Sequence, residues 1–143
     1  MRSLRNALAA ALLITAGLPP APAQSCPGST VDDNNAQMAV PARAFVQHLQ
    51  TLVASDDRQQ IATLIAYPLR INRGPKNRTL IRSRADFLAH YDSIITPKVR
   101  SALANKNAAR CLFYNSNGFM IGNGEIWFDG DSASSLKIIS MNL

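Results

Sequence analysis

Few residues in this chain could carry chemistry. Glu125 is the only glutamate, and it stands two places before the only tryptophan, Trp127. On a strand, Glu125 and Trp127 share one face, while Ile126 and Phe128 share the other. The alternation and the glycine bend are expected to turn Trp127 toward the cavity between sheet and helices, where a carboxylate beside an indole can hold a raised pKa and work as an acid or base. The competing reading is a rim carboxylate paired with Arg70 or Arg82 across a sheet. Tyr67 is a second aromatic residue suited to wall such a pocket, so Glu125, Trp127 and Tyr67 form the candidate ligand-binding set.

The remaining candidates are weaker. His90-Tyr91-Asp92 has the residue types of a proton relay, but consecutive helix residues point in different directions. His48 stands alone on the first expected helix. Two isolated histidines lack metal-ligand spacing, so neither a metal site nor a cofactor is expected. No serine lies in a nucleophile-elbow context, and no catalytic residue is assigned.

The most unusual feature is basic. Arg70, Arg73, Lys76, Arg78, Arg82 and Arg84 fall within fifteen residues, and no acid interrupts them. Placed around a hairpin, they would attract an anionic partner: an acidic protein, a phospholipid headgroup or a cell-envelope polymer. Nucleic acid fits an exported protein poorly. The alternative is an edge strand protected by charge against aggregation.

The elements that must position these residues begin after residue 23. Arg2 and Arg5 form a charged start, Ala7 to Leu18 an apolar run, and Ala21-Pro22-Ala23 a small-x-small cleavage pattern. The apolar run is shorter than the roughly 20 residues that span a bilayer. Residues 1–23 are therefore expected to be a secretory signal, and the protein periplasmic or secreted. Its removal takes two arginines and no acid, lowering the net charge from +6 to +4. The whole chain has 143 residues, 47% of them apolar, and two cysteines. That is one domain's length, with too much apolar content for a disordered tail and too few cysteines for a disulfide miniprotein or zinc ribbon. In an oxidising compartment Cys26 and Cys111 are expected to pair, a link worth on the order of 4 kcal/mol for so long a loop. A buried free Cys111 is the alternative.

Residues 24–39 read as a polar, extended lead-in. Pro41 suits the first turn of a helix carrying Phe45, Leu49, Leu52 and Val53. Asp57 and Gln60 form a capping box for a second helix, which Pro68 stops at Tyr67. Leu69 to Asn72 and Thr79 to Arg82 flank a Gly74-Pro75-Lys76-Asn77 turn. Ser83 and Asp86 open a third helix through Tyr91, and Thr96-Pro97 opens a fourth. A strand from Cys111 to Tyr114 meets a hairpin at Asn117-Gly118. Phe119 to Phe128 is expected as one long strand bent at Gly122 and Gly124, because a turn at Asn123-Gly124 would leave only about three residues of strand before it. Leu136 to Met141 closes the sheet. The expected class is α+β: a strongly bent antiparallel sheet packed against three to four short helices and shaped like a cone.

This order, with Tyr67-Pro68-Leu69, Asn117-Gly118-Phe119-Met120-Ile121-Gly122 and Gly124-Glu125-Ile126-Trp127-Phe128, resembles exported bacterial proteins of the nuclear transport factor two-like (cystatin-like) superfamily. The resemblance covers most of residues 40–143 and implies one domain there. It spans isomerases, dehydratases, transport factors and binding modules, so it does not by itself settle function. The expected function is a noncatalytic binding module for an anionic small molecule or an envelope protein. The alternatives are a periplasmic inhibitor or immunity-type protein, and a small isomerase, dehydratase or hydrolase using Glu125. Two measurements on the exported protein check its processing. N-terminal sequencing should begin at Gln24, and nonreduced mass spectrometry should show no alkylatable thiol. A chain starting at Met1, or two free thiols, would contradict the expectation.

Overall fold

The computed structural model describes residues 34–143. The expected signal peptide, most of the expected lead-in and Cys26 lie outside the described residues.

Helix α1 (Ala36–Ala54) starts earlier than Pro41, which sits inside it. The reason is the apolar stripe, which reaches back to Met38 and Ala39; both are buried along with Ala42, Phe45, Val46, Leu49, Leu52 and Val53. Helix α2 (Arg58–Thr63) starts at its expected cap, where the Asp57 carboxylate accepts from Gln60 N–H at 3.1 Å. It ends before Pro68, because strand β1 (Ile65–Asn72) takes up the chain from Ile65 and contains a cis Tyr67–Pro68 bond. Strand β2 (Arg78–Ile81) completes the first hairpin.

The expected third helix is two. Helix α3 (Arg84–Ala89) is capped by Ser83 Oγ, which accepts from Asp86 N–H, and α4 (Tyr91–Ile94) follows a break at His90. Helix α5 (Pro97–Ala104) has Thr96 as its cap and Pro97 in its first turn. Strands β3 (Phe113–Asn115), β4 (Gly118–Ile121), β5 (Ile126–Asp129) and β6 (Lys137–Asn142) complete the chain. The described residues thus hold five helices, against the three to four expected.

The six strands form one open sheet in the order β2-β1-β6-β5-β4-β3. The sheet is mixed, which corrects the antiparallel expectation: β1 and β6 run parallel, and the other neighbours are antiparallel. The chain between β1 and β6 holds β2, three helices and the β3–β4–β5 meander, and the last strand returns beside β1 in the same direction.

The expected long bent strand is a second correction. Residues 122–125 are a tight turn, and β4 and β5 pair as a hairpin with Ile121 opposite Ile126. Gly122 and Gly124 both have positive φ, at +68° and +100°. A side chain at Gly122 would run into the Glu125 carboxylate, which folds back over the turn and accepts from Asn123 N–H at 2.6 Å. Short strands are viable here because the glycines and this carboxylate close the turn locally.

The helices pack on the sheet face built from Leu69, Ile71, Phe119, Ile121, Ile126, Phe128 and Ile138, all fully buried. Phe45 of α1 stacks on Phe128 with ring centroids 4.8 Å apart, and Phe128 stacks on Phe119 at 5.0 Å. Trp127 therefore points away from the helices, which corrects the expectation that it faces a cavity between sheet and helices. Its own face in the strand also carries the exposed Asp129, and the all-apolar set of Ile126 and Phe128 takes the interior. Phe128→Ala should cost about 3–5 kcal/mol, whereas Trp127→Ala on the half-buried face should cost about 1 kcal/mol. Chemical denaturation of the two variants checks this; equal losses would contradict the face assignment.

Candidate functional site

The strand registers align one residue from each strand into a row across the open face. Leu80 is opposite Arg70, Arg70 opposite Ser140, Ser140 opposite Trp127, Trp127 opposite Met120, and Met120 opposite Phe113. A shorter second row runs from Arg78 to Asn72 to Asn142. The register shift between Trp127 and Phe128 against β6 keeps Ser140 beside Trp127 while Ile138 stays in the core.

Between these rows lies an open cavity of about 220 Å3, lined by Arg70, Asn72, Asn117, Trp127, Ser140 and Asn142, among others. It adjoins a second one of about 410 Å3, where Asn72 and Asn142 recur with Arg78, Gly74 and Pro75. The two asparagines build the floor. Asn72 Nδ2 donates to Asn142 Oδ1 at 2.7 Å, and Asn142 Nδ2 donates to the Gly124 carbonyl. Their side chains are thereby fixed, and the polar floor is rigid before any ligand arrives.

The basic residues divide by role. Arg73 donates to the Ser93 carbonyl at 3.2 Å, and Arg84 donates to Gln59 Oε1 at 2.8 Å, so these two tie the hairpin and α3 to the body. Arg70, Lys76, Arg78 and Arg82 are exposed. None of the six lies within ion-pair distance of a carboxylate among the described residues. Arg70 and Arg78 stand on the open face; Lys76 lies in the turn, and Arg82 follows β2.

The expected ligand set does not meet. Trp127 lies on the open face. Tyr67 packs against the core, donates to the Ala62 carbonyl at 3.0 Å, and is pushed above its ordinary pKa by burial, with Arg84 opposing. Glu125 is buried in the turn and borders a different cavity beside Lys98, Ser101 and Asn105 of the α5 region. It pairs with neither Arg70 nor Arg82. His48 is exposed on α1. His90 Nδ1 lies 3.0 Å from Asp86 Oδ1 at the end of α3, and Asp92 pairs with Arg58 at 3.0 Å, so the two are not joined in a relay. Cys111 is not a free thiol, and its expected partner Cys26 lies outside the described residues. No group of metal-ligating side chains occurs among the described residues, and no described helix is long and apolar enough to cross a membrane.

The sequence reading missed Asn72, Ser140 and Asn142, which become a site only through the β1–β6 parallel pairing. It also missed a charged knot on the helical side. Arg58 spans Asp56 and Asp92, Arg100 donates to Asp56 at 2.9 Å, and the Arg58 guanidinium sits 4.3 Å from the centre of the buried Tyr91 ring. Burial first, and the neighbouring Asp56 carboxylate second, push the Tyr91 phenol up. Hydrogen bonds from Arg100 and then Arg58 lower the Asp56 pKa from 3.8 to about 2.

Comparison of the chain with protein-family models, with curated proteins and with solved structures gives no match. The reading of the site therefore rests on its geometry.

The Asp56 knot sets an acid dependence. A depressed carboxyl pKa stabilises the fold fully above the unfolded value, and that contribution is lost as pH falls from about 3.8 toward 2. Asp56 has φ +54°, a conformation asparagine also tolerates. Asp56→Asn should therefore lower the melting temperature at pH 7 and flatten its fall below pH 4. An unchanged acid limb would contradict the ionic role.

Proposed function

We propose that this chain is an exported, noncatalytic binding module that holds an anionic partner on the open face of its sheet. The observation that carries this is the row Leu80–Arg70–Ser140–Trp127–Met120–Phe113, with Arg78 beside it and no carboxylate paired to either arginine among the described residues. Guanidinium groups hold carboxylates or phosphates bidentately, and an adjacent indole adds a flat apolar contact. The ordered asparagine floor offers further amide groups without an ordering cost.

The same geometry disfavours the pocket-enzyme alternative. Glu125 is spent on closing a turn, and it sits apart from both Trp127 and Tyr67. An inhibitor or immunity-type role uses the same surface and remains a special case of the binding module. Membership of the nuclear transport factor two-like superfamily belongs to this proposal, supported by helices packed on one face of an open mixed sheet, as does a cone-like bend of that sheet. The Cys26–Cys111 link and export from a signal over residues 1–23 belong to it as well.

Titration with poly-L-glutamate at low ionic strength, followed by Trp127 fluorescence, tests the reading. Binding should weaken as salt rises. The double variant Arg70→Glu, Arg78→Glu should lower affinity about tenfold or more, because like charge now faces the polymer. Affinity independent of salt and of both arginines would overturn it.

A further inference from the structure

Strand β2 ends the sheet and pairs only with β1. Its open edge can be read from the ladder. Arg73 N–H donates to the Asn77 carbonyl at 2.8 Å, so that pair is bonded. Bonded and non-bonded pairs alternate along an antiparallel ladder. In the observed register the bonded pairs are then Ile71 with Thr79 and Leu69 with Ile81. The N–H and C=O groups of Arg78 and Leu80 point away from β1, and no loop backbone meets them among the described residues.

The side chains of these same two residues stand on the open face beside Arg70. Leu80 is 42% exposed, one of two large apolar residues so exposed among the described residues. Beyond Leu80 the edge closes, because Arg82 N–H donates to Asp86 Oδ2 at 3.0 Å. The edge therefore offers main-chain donors and acceptors two residues apart, an exposed leucine and guanidinium groups that meet no carboxylate among the described residues. An unpaired edge templates strand addition, and its charge decides what can add. A second copy of β2 would bring like charge against like. An acidic strand is attracted.

Resting on the anionic-partner reading above, we propose that the β2 edge binds an extended acidic segment of a partner protein by strand addition. The segment's main chain pairs with Arg78 and Leu80. Its alternate side chains lie on the open face, a carboxylate opposite Arg78 and an apolar group opposite Leu80.

The test uses the folded protein and a blocked ten-residue peptide, Glu-Thr-Val-Thr-Glu-Thr-Val-Thr-Glu-Thr, whose glutamates and valines fall on one face when extended. A second peptide of the same composition carries N-methyl groups on alternate residues, placed to remove the edge-facing donors. Titration of each by calorimetry is the readout. The plain peptide should bind, and N-methylation should weaken it about tenfold or more. Two variants test the protein side. Leu80→Pro removes an outward N–H while sparing the β1 ladder, and should match the N-methyl effect. Leu80→Ala, which keeps that N–H, should weaken binding only a few-fold. If Leu80→Pro does not fold, the peptide pair alone decides. Equal binding of plain and N-methylated peptides would overturn strand addition while leaving the electrostatic reading standing. Binding by neither peptide, and none by poly-L-glutamate, would overturn both.

Discussion

Phe45 of α1 stacks on Phe128 of β5, Phe128 stacks on Phe119 of β4, and Tyr114 of β3 leans on Phe119 at 4.7 Å. This file of rings locks the longest helix to three neighbouring strands. Aromatic rings of this size contribute much of the apolar area a small core can bury. Because strand side chains alternate, fixing Phe128 inward fixes Trp127 outward. The candidate surface is thus a consequence of core packing: the rings take one face and leave an indole, two arginines and two asparagines on the other.

The turn at residues 122–125 transmits that constraint. Glycines at positive φ and the inward-folded Glu125 carboxylate hold β4 and β5 in register, which places Met120 against Trp127. The chain's only glutamate thus has a positioning role in the fold. Charge is divided between the two sides of the molecule. On the helical side, Asp56, Arg58, Asp92 and Arg100 neutralise one another around Tyr91. On the sheet side, Arg70 and Arg78 have no such partners among the described residues. Two arginines without a carboxylate partner among the described residues therefore stand on the surface that carries the asparagine-floored cavities.

Local signals in the sequence were reliable. The caps at Asp57, Ser83 and Thr96 and the Gly74–Asn77 turn lie where residue chemistry puts them, and the expected hairpin turns one residue earlier, at Ser116-Asn117, with Gly118 already paired to Asn115. Two errors share a cause. The shortness of a strand ending before Asn123 favours one long bent strand over residues 119–128, yet tertiary packing and a closed turn sustain the short one. The same expected bend, with the alternation through Gly124 to Phe128, turns Trp127 inward, although its face also carries Asp129 and the alternate face is wholly apolar. Polarity across the whole alternating set is the better guide to the inward face. The parallel β1–β6 contact is nonlocal, so nothing near Asn72, Ser140 or Asn142 in the sequence announces that they meet. The basic run was legible from the outset, but which of its members stay unpaired depended on Ser93 and Gln59 reaching Arg73 and Arg84.

A single tryptophan makes the central claim directly measurable. If Trp127 lies on the open face and lines the same cavity as Arg70, its emission should be that of a partly hydrated indole. Iodide, drawn in by the arginines, should quench it more strongly than caesium, and Arg70→Glu should remove or reverse that preference. Blue-shifted emission that neither ion quenches would place Trp127 in the core and contradict the account.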